Sequence, residues 1–559
     1  MRTVFSAVVS PRFHPTILLA AVAFAPAGAQ QTATVPLAAI DSVFQQFDGT
    51  RTPGCAVGVS EAHSIILERA YGMADLEHDV ANAAQTVFEP GSVSKQFTAA
   101  ATILLALDGK ISLQDDIREY IPELPDYGEP VTIRHLLNHT SGLRDWGAVA
   151  GIEGWPRTTR VHTHTHMLDI ASRQMSLNYP PGEYYSYTNT GYNLQAVLVE
   201  RVSGMPFAEF SKKRIFEPLG MTKTEWRDDF TRIVKDRAIA YRRDNEGRWS
   251  MLMPFENVHG NGGLLTTVGD LLRFTHNLET GELGGPRYLE EMHQQGVLNS
   301  GTTIAYASGL RVEEYKGLRV VQHSGSTAGY RGYLTRFPDQ GIAVAVMCNA
   351  SNGNAGALAY GVAELYLGDA ITEPQAPVAP QAIEMSPQRL AALAGGYRIT
   401  DGTRLGTLFT VVAADDRLQA AGTELFPVSE TRFQSARGTV LQFDDTPMEG
   451  GRPALVLDPG PDQVRMEPVA TVDPSEAKLT EYEGTYRSDE AEATYTVVLE
   501  DGALSMRDRW GEGVRLTSLY PDAFRAGGDT FIFRRDAAGR ITEMTLSQGR
   551  VWDLRFRRQ

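Results

Sequence analysis

A proline-rich stretch in the second half of the chain limits the possible folds most strongly. Three prolines lie in Glu373–Pro380, where fixed φ angles and missing amide donors favour an extended linker. Before this stretch, helical and strand-like patterns alternate along the chain. After it, short alternating segments are separated by Gly and Asp-Gly turns, which is typical of all-β structure. The 559 residues therefore divide into several domains.

The segment after the linker contains a weak internal repeat. Leu393–Arg398 (LAGGYR) resembles Tyr482–Arg487 (YEGTYR), and a strand-like run follows each copy. This pattern predicts two small antiparallel β-barrels, and a single larger sandwich is the alternative. The predicted order is a signal peptide (1–29), a mixed α/β domain (30–372), a linker (373–385), a first barrel (386–474) and a second barrel (475–559).

The N-terminus has the pattern of a secretory signal peptide. Arg2 and Arg12 supply positive charge, residues 15–25 form an apolar run, and Ala27–Ala29 is a small-residue cleavage site. The apolar run is too short to span a bilayer, and an uncleaved membrane anchor is the alternative. We therefore expect a periplasmic or secreted protein with no transmembrane segment after signal removal.

Charge and histidine patterns exclude two classes of partner. The formal net charge is −16, and an acidic surface repels phosphate backbones, so nucleic acid is not an expected partner. On a strand, His162, His164 and His166 would share one face as a metal site. Thr163 or Thr165, however, has the position of a helix N-cap. Because a helix would separate the imidazoles, we expect neither a metal nor another cofactor.

Strand-like runs lie at both ends of the region before the linker, with helical patterns between them. We therefore expect a sheet whose first and last strands come together. The predicted strands are 55–60, 64–69, 319–322, 333–337 and 342–347, and a closing helix is predicted over 355–367.

A serine and a lysine three residues apart begin an otherwise apolar segment. Ser92 and Lys95 lie on one face of a helix predicted over 92–107. A free serine hydroxyl is a weak nucleophile and needs an adjacent base. Lysine can be that base near pH 7 only if its pKa falls from about 10.4 by roughly three. The same spacing recurs at Ser475 and Lys478, so the pair needs supporting motifs.

Two further motifs supply that support. Tyr187-Thr-Asn189 places a phenol and a carboxamide two residues apart after a Pro-Pro-Gly turn, and His323-Ser-Gly325 lies on a strand-like run. With the serine and lysine, and in this order, they resemble the three-part signature of the penicillin-recognising serine hydrolases. The chain is similar to the class C β-lactamase and D-alanyl-D-alanine carboxypeptidase group, and within it to the D-aminopeptidase branch.

The resemblance implies a fold and a set of catalytic roles. The implied fold is an α/β catalytic domain, with an antiparallel sheet flanked by helices and an all-helical subregion, followed by two small antiparallel β-barrels. Ser92 would be the nucleophile, and Lys95 and Tyr187 would share the base and acid roles in an order that the sequence leaves open. His323 stands where many β-lactamases carry lysine, which disfavours a dedicated β-lactamase.

The resemblance also implies residues that bind the substrate. Asn189 would orient the substrate amide, and the backbone N–H groups of Ser92 and Ser326 would hold the oxyanion, with Gly325 placing the latter. Independently of the resemblance, Arg331 would either bind a substrate carboxylate or lie on the surface.

A loop of the last barrel near residues 506–513 is expected to narrow the pocket. There, Asp508 or Glu512 would meet a substrate ammonium group, and a solvated hairpin tip is the alternative.

The resemblance also bears on whether the two cysteines of the chain form a disulfide. In the implied fold, the strands that carry Cys55 and Cys348 are antiparallel neighbours, which allows a disulfide, and two buried thiols are the alternative.

The first hypothesis for the function is a serine hydrolase that cleaves D-amino-acid amides or short peptides through a covalent acyl-enzyme. Within the same family, a D-alanyl-D-alanine carboxypeptidase, an esterase or a β-lactamase is the alternative. A module that captures penicillin or peptidoglycan fragments without turnover is the alternative of another class. The partner is therefore a small peptide or amide with a D-residue, and the sequence leaves the oligomeric state open.

Overall fold

The computed structural model describes residues 35–157, 159–372, 377–448, 451–458, 463–470 and 479–559. The predicted signal peptide (1–29), the start of the predicted linker (373–376) and the predicted boundary between the two barrels lie outside these ranges. Within them, no helix combines the length and the apolar character needed to cross a membrane.

The first domain mixes helices with strands. Its elements in chain order are α1 (Leu37–Val43), β1 (Cys55–Glu61), β2 (Ser64–Tyr71), β3 (Met73–Asp75), β4 (Val80–Ala81), α2 (Lys95–Leu107), α3 (Ile133–Asn138), α4 (Trp146–Glu153), α5 (His164–Arg173), α6 (Thr190–Ser203), α7 (Phe207–Ser211), β5 (Glu225–Trp226), β6 (Tyr241–Arg243), β7 (Trp249–Met251), β8 (Leu264–Leu265), α8 (Val268–Thr280), α9 (Gly285–His293), β9 (Arg311–Tyr315), β10 (Leu318–Thr327), β11 (Tyr330–Phe337), β12 (Ile342–Cys348) and α10 (Ala355–Leu367).

A six-stranded antiparallel sheet organises this domain, with strand order β2-β1-β12-β11-β10-β9. Strand β1 pairs with β12, so the first and last strands of the domain meet as the sequence predicted. Their register places Cys55 opposite Cys348, and the two residues form a disulfide. The bridge therefore ties together strands whose cysteines are 293 residues apart.

Strand β12 is buried along its whole length because it separates two cores. Ala343, Ala345 and Met347 face the larger core, which includes residues of α2 and α8. Val344 and Val346 face the opposite side, where α1 and α10 cover the sheet. A strand buried on both faces is continuously apolar, which explains why residues 342–347 show no alternation of polar and apolar types.

Two separate all-β sheets follow the linker, so the prediction of two barrels is confirmed and the single sandwich is excluded. The middle barrel is closed, whereas the last domain is an open nine-stranded sheet that curves toward closure. The middle barrel comprises α11 (Pro387–Leu393), β13 (Gly395–Ile399), β14 (Leu408–Ala414), β15 (Arg417–Ala420), β16 (Thr423–Pro427), β17 (Arg432–Gln434), β18 (Val440–Pro447), β19 (Pro453–Leu457) and β20 (Val464–Val469). The last domain comprises β21 (Gly484–Ser488), β22 (Ala493–Glu500), β23 (Ala503–Arg507), β24 (Gly513–Arg515), β25 (Thr517–Tyr520), β26 (Ala523–Ala526), β27 (Asp529–Arg535), β28 (Ile541–Gln548) and β29 (Val551–Arg558).

The last domain packs directly against the helices of the first domain. The Tyr495 hydroxyl donates to the backbone oxygen of Ile152 in α4 at 2.9 Å. The buried guanidinium of Arg144 pairs with Glu490 at 2.6 Å and also donates to the backbone oxygen of Trp552. The buried apolar side chains of both domains form one continuous cluster. The last domain is therefore part of the body that carries the candidate site.

Candidate active site

Ser92 lies in a tight turn that leads into α2. Residues Gly91–Ser94 form a 3₁₀ turn, and the α-helix itself begins at Lys95, three residues later than the sequence predicted. The turn lies against β10, because a Cβ on Gly91 would come within 2.5 Å of the Ser326 amide nitrogen. A Cβ on Gly325 would collide with the Pro90 carbonyl oxygen. Glycine at both positions lets the Ser92 turn and β10 touch.

The register of β10 and β11 directs the Ser326 amide toward this turn. Thr327 pairs with Tyr330 across a two-residue turn, so these residues form a hydrogen-bonded pair. In an antiparallel ladder only alternate pairs exchange hydrogen bonds. The Ser326 N–H therefore points away from β11 and toward Ser92. The backbone N–H groups of Ser92 and Ser326 lie where an oxyanion could be held.

Lys95 is buried completely, and its amine has three polar neighbours. Its Nζ lies 2.9 Å from Asn189 Oδ1, 2.8 Å from the backbone oxygen of Asn261 and 3.2 Å from Ser92 Oγ. Two of these neighbours are carbonyl oxygens, which only accept hydrogen bonds. An ammonium would donate to all three oxygens, whereas a neutral amine would donate to the two carbonyl oxygens and accept from the Ser92 hydroxyl.

Electrostatics favour the neutral amine. Burial lowers the pKa of Lys95 well below its usual value, and the guanidinium groups of Arg550 and Arg157 lower it further, whereas Asp145 acts in the opposite direction. Among the described residues, no carboxylate lies within ion-pair distance of Nζ. Desolvation without a counter-charge is the arrangement that turns lysine into a base.

Tyr187 is the third member of the predicted group, and the structure brings it to the same place. Its ring centroid lies 4.8 Å from Lys95 Nζ, and its buried hydroxyl has no hydrogen-bond partner among the described residues. Burial raises the pKa of the Tyr187 phenol, while the nearby Ser92 hydroxyl and Arg550 lower it. The phenol therefore keeps its proton over the range in which Lys95 has lost one.

Asn189 is fixed by a buried carboxylate at the start of two helices. Its backbone N–H donates to Asp145 Oδ2 at 2.7 Å, and Asp145 also caps α4 by accepting from the Ala148 N–H. The Asn189 side chain faces Lys95 and lines the cavity described below. Asn189 thus contacts both the candidate base and the space open to a substrate.

His323 lies on β10 as predicted and is neutral. Its Nδ1 lies 2.6 Å from the backbone oxygen of Ser324, which fixes the proton on Nδ1, so Nε2 accepts from the Tyr306 hydroxyl at 3.0 Å. Burial lowers the pKa of His323 to about 3, with Lys95 adding to the shift. The imidazole therefore carries no charge near neutral pH.

These groups open into a cavity of about 600 Å³. Both domains that pack together contribute to it. Its lining includes the candidate residues Ser92, Tyr187, Asn189, His323, Gly325 and Ser326, together with Arg157, Arg311, Arg331, Tyr306, Asn354 and Arg550. The structure thus brings most of the predicted residues to one space.

The predicted acidic residues of the last domain do not reach this cavity. The Asp508 carboxylate accepts hydrogen bonds from the backbone N–H groups of Trp510 and Glu512, closing its own turn. The neighbouring Arg509 and Trp510 side chains donate to backbone oxygens at the end of α4. Neither Asp508 nor Glu512 lines the cavity, because this loop docks onto the helical region.

The last domain reaches the cavity through Arg550, which the sequence analysis missed. Arg550 lies in the two-residue turn between β28 and β29, and its Cζ lies 5.1 Å from the Tyr187 ring centroid. The Arg550 backbone oxygen accepts from the N–H of Asp145 and from the side chain of Asn178. No local pattern marks this turn, since its role depends on docking between domains.

The other residues that the sequence singled out have clear positions. Arg331 lines the cavity and is half-buried. Thr163 caps α5, as predicted, and His166 completes the capping box. His162 packs against the Trp146 ring, whereas His164 lies beside the backbone oxygen of His259. Asn261, which the sequence analysis did not single out, accepts a hydrogen bond from Lys95 through its backbone oxygen.

Comparisons with known proteins agree with this geometry. Residues 40–367 match the family model described as Beta-lactamase. Penicillin-binding protein 4* of Bacillus subtilis (strain 168) is 30% identical over 416 residues, covering 69% of this chain and 88% of that protein. The D-aminopeptidase of Brucella canis is 27% identical over 546 residues, covering 91% of this chain and 95% of that protein.

A solved structure shares the fold. The octameric penicillin-binding protein homologue from Pyrococcus abyssi has a TM-score of 0.53 and 24% identity, covering 84% of this chain and 96% of that one. The family match contains both ends of the sheet and all three sequence motifs. The chain therefore belongs to the Beta-lactamase family, and we conclude that it is a serine hydrolase.

Proposed function

We propose that the protein hydrolyses amide bonds next to D-residues in amides or short peptides, through a covalent acyl-enzyme on Ser92. One observation carries this proposal. The Lys95 amine is fully buried, donates to two carbonyl oxygens and lies 3.2 Å from Ser92 Oγ. At this distance a neutral Lys95 amine accepts the Ser92 proton, which activates the nucleophile.

In the acylation step, Ser92 Oγ attacks the carbonyl carbon while its proton moves to Lys95 Nζ. The backbone N–H groups of Ser92 and Ser326 hold the oxyanion, and losing one such donor typically costs about 3 kcal/mol. The C–N bond then breaks as the Tyr187 hydroxyl donates its proton to the leaving nitrogen. Lys95 returns the proton to the Tyr187 oxygen, so the amine leaves and Ser92 carries the acyl group as an ester.

Hydrolysis of the ester uses the same groups. Water attacks the ester carbonyl and gives a proton to Lys95, and the Ser92 oxygen leaves and takes a proton back. The protonation states described above support this assignment, with Lys95 as the base and Tyr187 as the acid.

The D-residue in the proposal is supported by similarity along nearly the whole chain. The protein named D-aminopeptidase aligns with 91% of this chain, which includes residues beyond the linker. Family membership alone leaves the substrate open, because the pocket and not the fold sets specificity. The disulfide between Cys55 and Cys348 is also consistent with the predicted export to an oxidising compartment.

The proposal is tested with a panel of substrates and a matched pair of variants. The panel comprises D-alanine amide, L-alanine amide, a D-alanyl-D-alanine peptide, a simple ester and a chromogenic cephalosporin. We expect wild-type protein to turn over D-alanine amide and to favour it over L-alanine amide. Ser92→Ala should abolish turnover, whereas Ser475→Ala, which changes the serine of the second Ser-x-x-Lys sequence, should leave it unchanged. Mass spectrometry of intact protein should show the acyl group on wild type only.

Each other outcome of the panel has a definite meaning. Turnover by Ser92→Ala, or equal turnover of D and L substrates, would overturn the proposal. Turnover of only the dipeptide terminus, only an ester or only a chromogenic cephalosporin would assign the carboxypeptidase, esterase or β-lactamase alternative. A stable adduct without turnover would assign the binding module.

The pH dependence of kcat/KM tests the role of Lys95. Because the base must be neutral, activity should fall as the pH drops through the lowered pKa of Lys95. The acidic limb of the kcat/KM profile should therefore lie at a pH below the usual pKa of lysine. His323, whose pKa is about 3, should not set it, so the limb should keep its position in His323→Asn. A limb that moves with this substitution would assign the titration to His323.

A further inference from the structure

A second cavity lies next to the candidate active site, where the three domains of the chain meet. Its volume is about 350 Å³, within the range of about 300–1,000 Å³ that is typical of small-molecule sites between domains. The first domain lines it with residues 184–185 and 303–306, the middle barrel with 401–402 and 463–464, and the last domain with Trp552. We call this space the junction cavity.

The junction cavity is adjacent to the cavity around Ser92. Tyr185, Tyr306 and Arg311 line both of them. The rings of Tyr185 and Tyr306 pack with their centroids 5.9 Å apart, and the Tyr306 hydroxyl donates to His323 beside the reacting groups. A substrate that is bound at Ser92 and extends past these side chains would therefore reach the second cavity.

The middle barrel is held at this junction by contacts with both other domains. The Tyr520 hydroxyl of the last domain donates to the backbone oxygen of Gly406 at 2.6 Å in a buried contact. Gly406 packs so closely there that a Cβ would lie 2.7 Å from the Ile532 side chain. Asp401 of the barrel lies beside the Tyr184 hydroxyl of the first domain. These contacts fix the barrel's side of the cavity relative to the first domain.

The two charged side chains of the junction cavity have protein partners. Among the described residues that line it, only Arg311 and Asp401 are charged. Arg311 donates from Nε and Nη2 to Glu313 at 2.8 and 2.5 Å, and a two-point pair satisfies much of a guanidinium's capacity. Asp401 Oδ1 accepts from the Arg465 N–H at 3.2 Å. Burial raises the pKa of Asp401, while Arg465 and Tyr184 lower it. Neither charge is left without a neighbour.

Much of the remaining lining is aromatic or aliphatic. The rings of Tyr184 and Trp552 lie 6.1 Å apart at an angle of 70°. Ile304 adds an aliphatic side chain from the first domain, and Val464 adds one from the middle barrel. Aromatic rings pack favourably edge to face against a further ring, and removing apolar surface from water is favourable. The walls therefore suit an apolar group better than a charged one.

We propose that the junction cavity is a substrate subsite for an apolar group, preferably an aromatic ring, carried by a substrate whose scissile amide lies at Ser92. The middle barrel contributes no described residue to the cavity around Ser92, and the subsite gives it a part in selecting the substrate. This inference rests on the proposed amide hydrolysis. It adds an apolar extension to the proposed class of amides and short peptides.

The test uses two series of substrates that share the D-alanyl carbonyl at the scissile bond. N-acyl-D-alanine amides carry an extension on the acyl side, and D-alanine N-alkylamides carry it on the side of the leaving amine. In each series the chain is lengthened stepwise, with or without a terminal phenyl ring. We expect the ring to raise kcat/KM by about tenfold at the lengths that place it in the junction cavity, because an apolar ring is then buried. The gain should persist as salt is raised, since it does not depend on charge.

Substitutions on two walls locate the preference. Val464→Asp places a charge in the wall formed by the middle barrel, and Ala305→Phe fills the cavity from the first domain. Each should lower the ratio of kcat/KM between phenyl and plain substrates by about tenfold. Val412→Asp is the matched control, since Val412 is an exposed residue of the same barrel outside both linings. Its ratio should equal that of wild type.

The outcomes separate this inference from the proposed function. If the wild type hydrolyses neither the plain substrates nor the panel of amides, the proposed function fails and the subsite fails with it. If it hydrolyses the plain substrates and the ring gives no gain at any length in either series, only the subsite is overturned.

Two further outcomes would also overturn the subsite. A larger gain from a terminal ammonium than from the ring would assign the junction cavity to a cation beside Asp401. A wild-type ratio in both Val464→Asp and Ala305→Phe would show that the ring binds elsewhere, and circular dichroism would show that both variants are folded.

Discussion

The middle barrel and the last domain begin with the same local structure. Tyr397 and Tyr486 each donate a hydroxyl hydrogen bond to the backbone oxygen four residues earlier, at 2.6 and 2.9 Å. An arginine lies over each ring, Arg452 in one domain and Arg558 in the other. The repeat that the sequence shows is therefore a repeated corner of structure, in which a tyrosine fixes the entry of the chain into its first strand.

Beyond this corner the two domains differ in how they bury their apolar residues. The middle barrel closes on itself, and its buried side chains form a separate cluster. The last domain leaves its sheet open, and its buried side chains join the cluster of the first domain. A closed barrel has no unpaired edge strands. In the last domain, the open sheet packs part of its apolar surface and its turns against the first domain.

The difference shows that one motif can start domains with different roles. The middle barrel has a core of its own, and none of its described turns lines the cavity around Ser92. The last domain is part of the catalytic body and places Arg550 beside Tyr187. We therefore expect matched substitutions in the two domains to have unequal effects wherever docking matters, and equal effects within the shared corner.

The largest difference is expected from cavities made in the two cores. Phe556→Ala and Phe433→Ala each remove a fully buried ring, at a cost of about 3–5 kcal/mol. Calorimetry should show that Phe556→Ala lowers the transition of the first and last domains together and shortens the lifetime of activity on heating. Phe433→Ala should lower only a separate transition of the middle barrel. Equal loss of activity in both variants would contradict two separate cores.

The next effect concerns the ion pair between the first and last domains. Arg144→Ala should lower the free energy of unfolding by about 3 kcal/mol, because Glu490 loses its partner in a mostly buried interface. The matched change, Arg398→Ala, breaks the exposed pair with Glu467 in the middle barrel and should cost at most about 1 kcal/mol. Urea unfolding followed by fluorescence measures both. Similar costs would argue that the interface contributes little.

The smallest effect tests the shared corner. Tyr397→Phe and Tyr486→Phe each remove one hydroxyl and leave a backbone oxygen unpaired, at about 1 kcal/mol. The two losses should agree within experimental error, because the hydrogen bonds and neighbours correspond. Chemical denaturation with each variant checks this, and wild-type turnover is the control. A much larger loss at one tyrosine would show that the corners are not equivalent.

Most of the features that the sequence predicted correctly follow from patterns over a few neighbouring residues. The spacing of Ser92 and Lys95 joins them through one turn, and the apolar residues after them predict the burial that lowers the pKa of the lysine. The sequence predicts strands at 55–60 and 342–347, and β1 and β12 contain them. The helix predicted over 355–367 has the same bounds as α10. Each of these features depends on residues within one element or on adjacent strands.

Packing between the domains decided which turns of the last domain reach the cavity, and the sequence did not predict this. The charged loop with Asp508 and Glu512, which the family resemblance places at the cavity, lies against α4, and Arg550 in an unmarked turn takes the place beside Tyr187. Nothing in the local sequence distinguishes these two turns, since both are short, polar connections between strands. Both turns contact the first domain, and their roles depend on which part of it each one meets.

The sequence by itself determined the family and the candidate serine, lysine and tyrosine, because these follow from local spacing and from likeness to a known family. Only the tertiary structure decided which side chains line the cavity beside them. That lining combines residues from distant parts of the chain, because they meet only when the domains pack together.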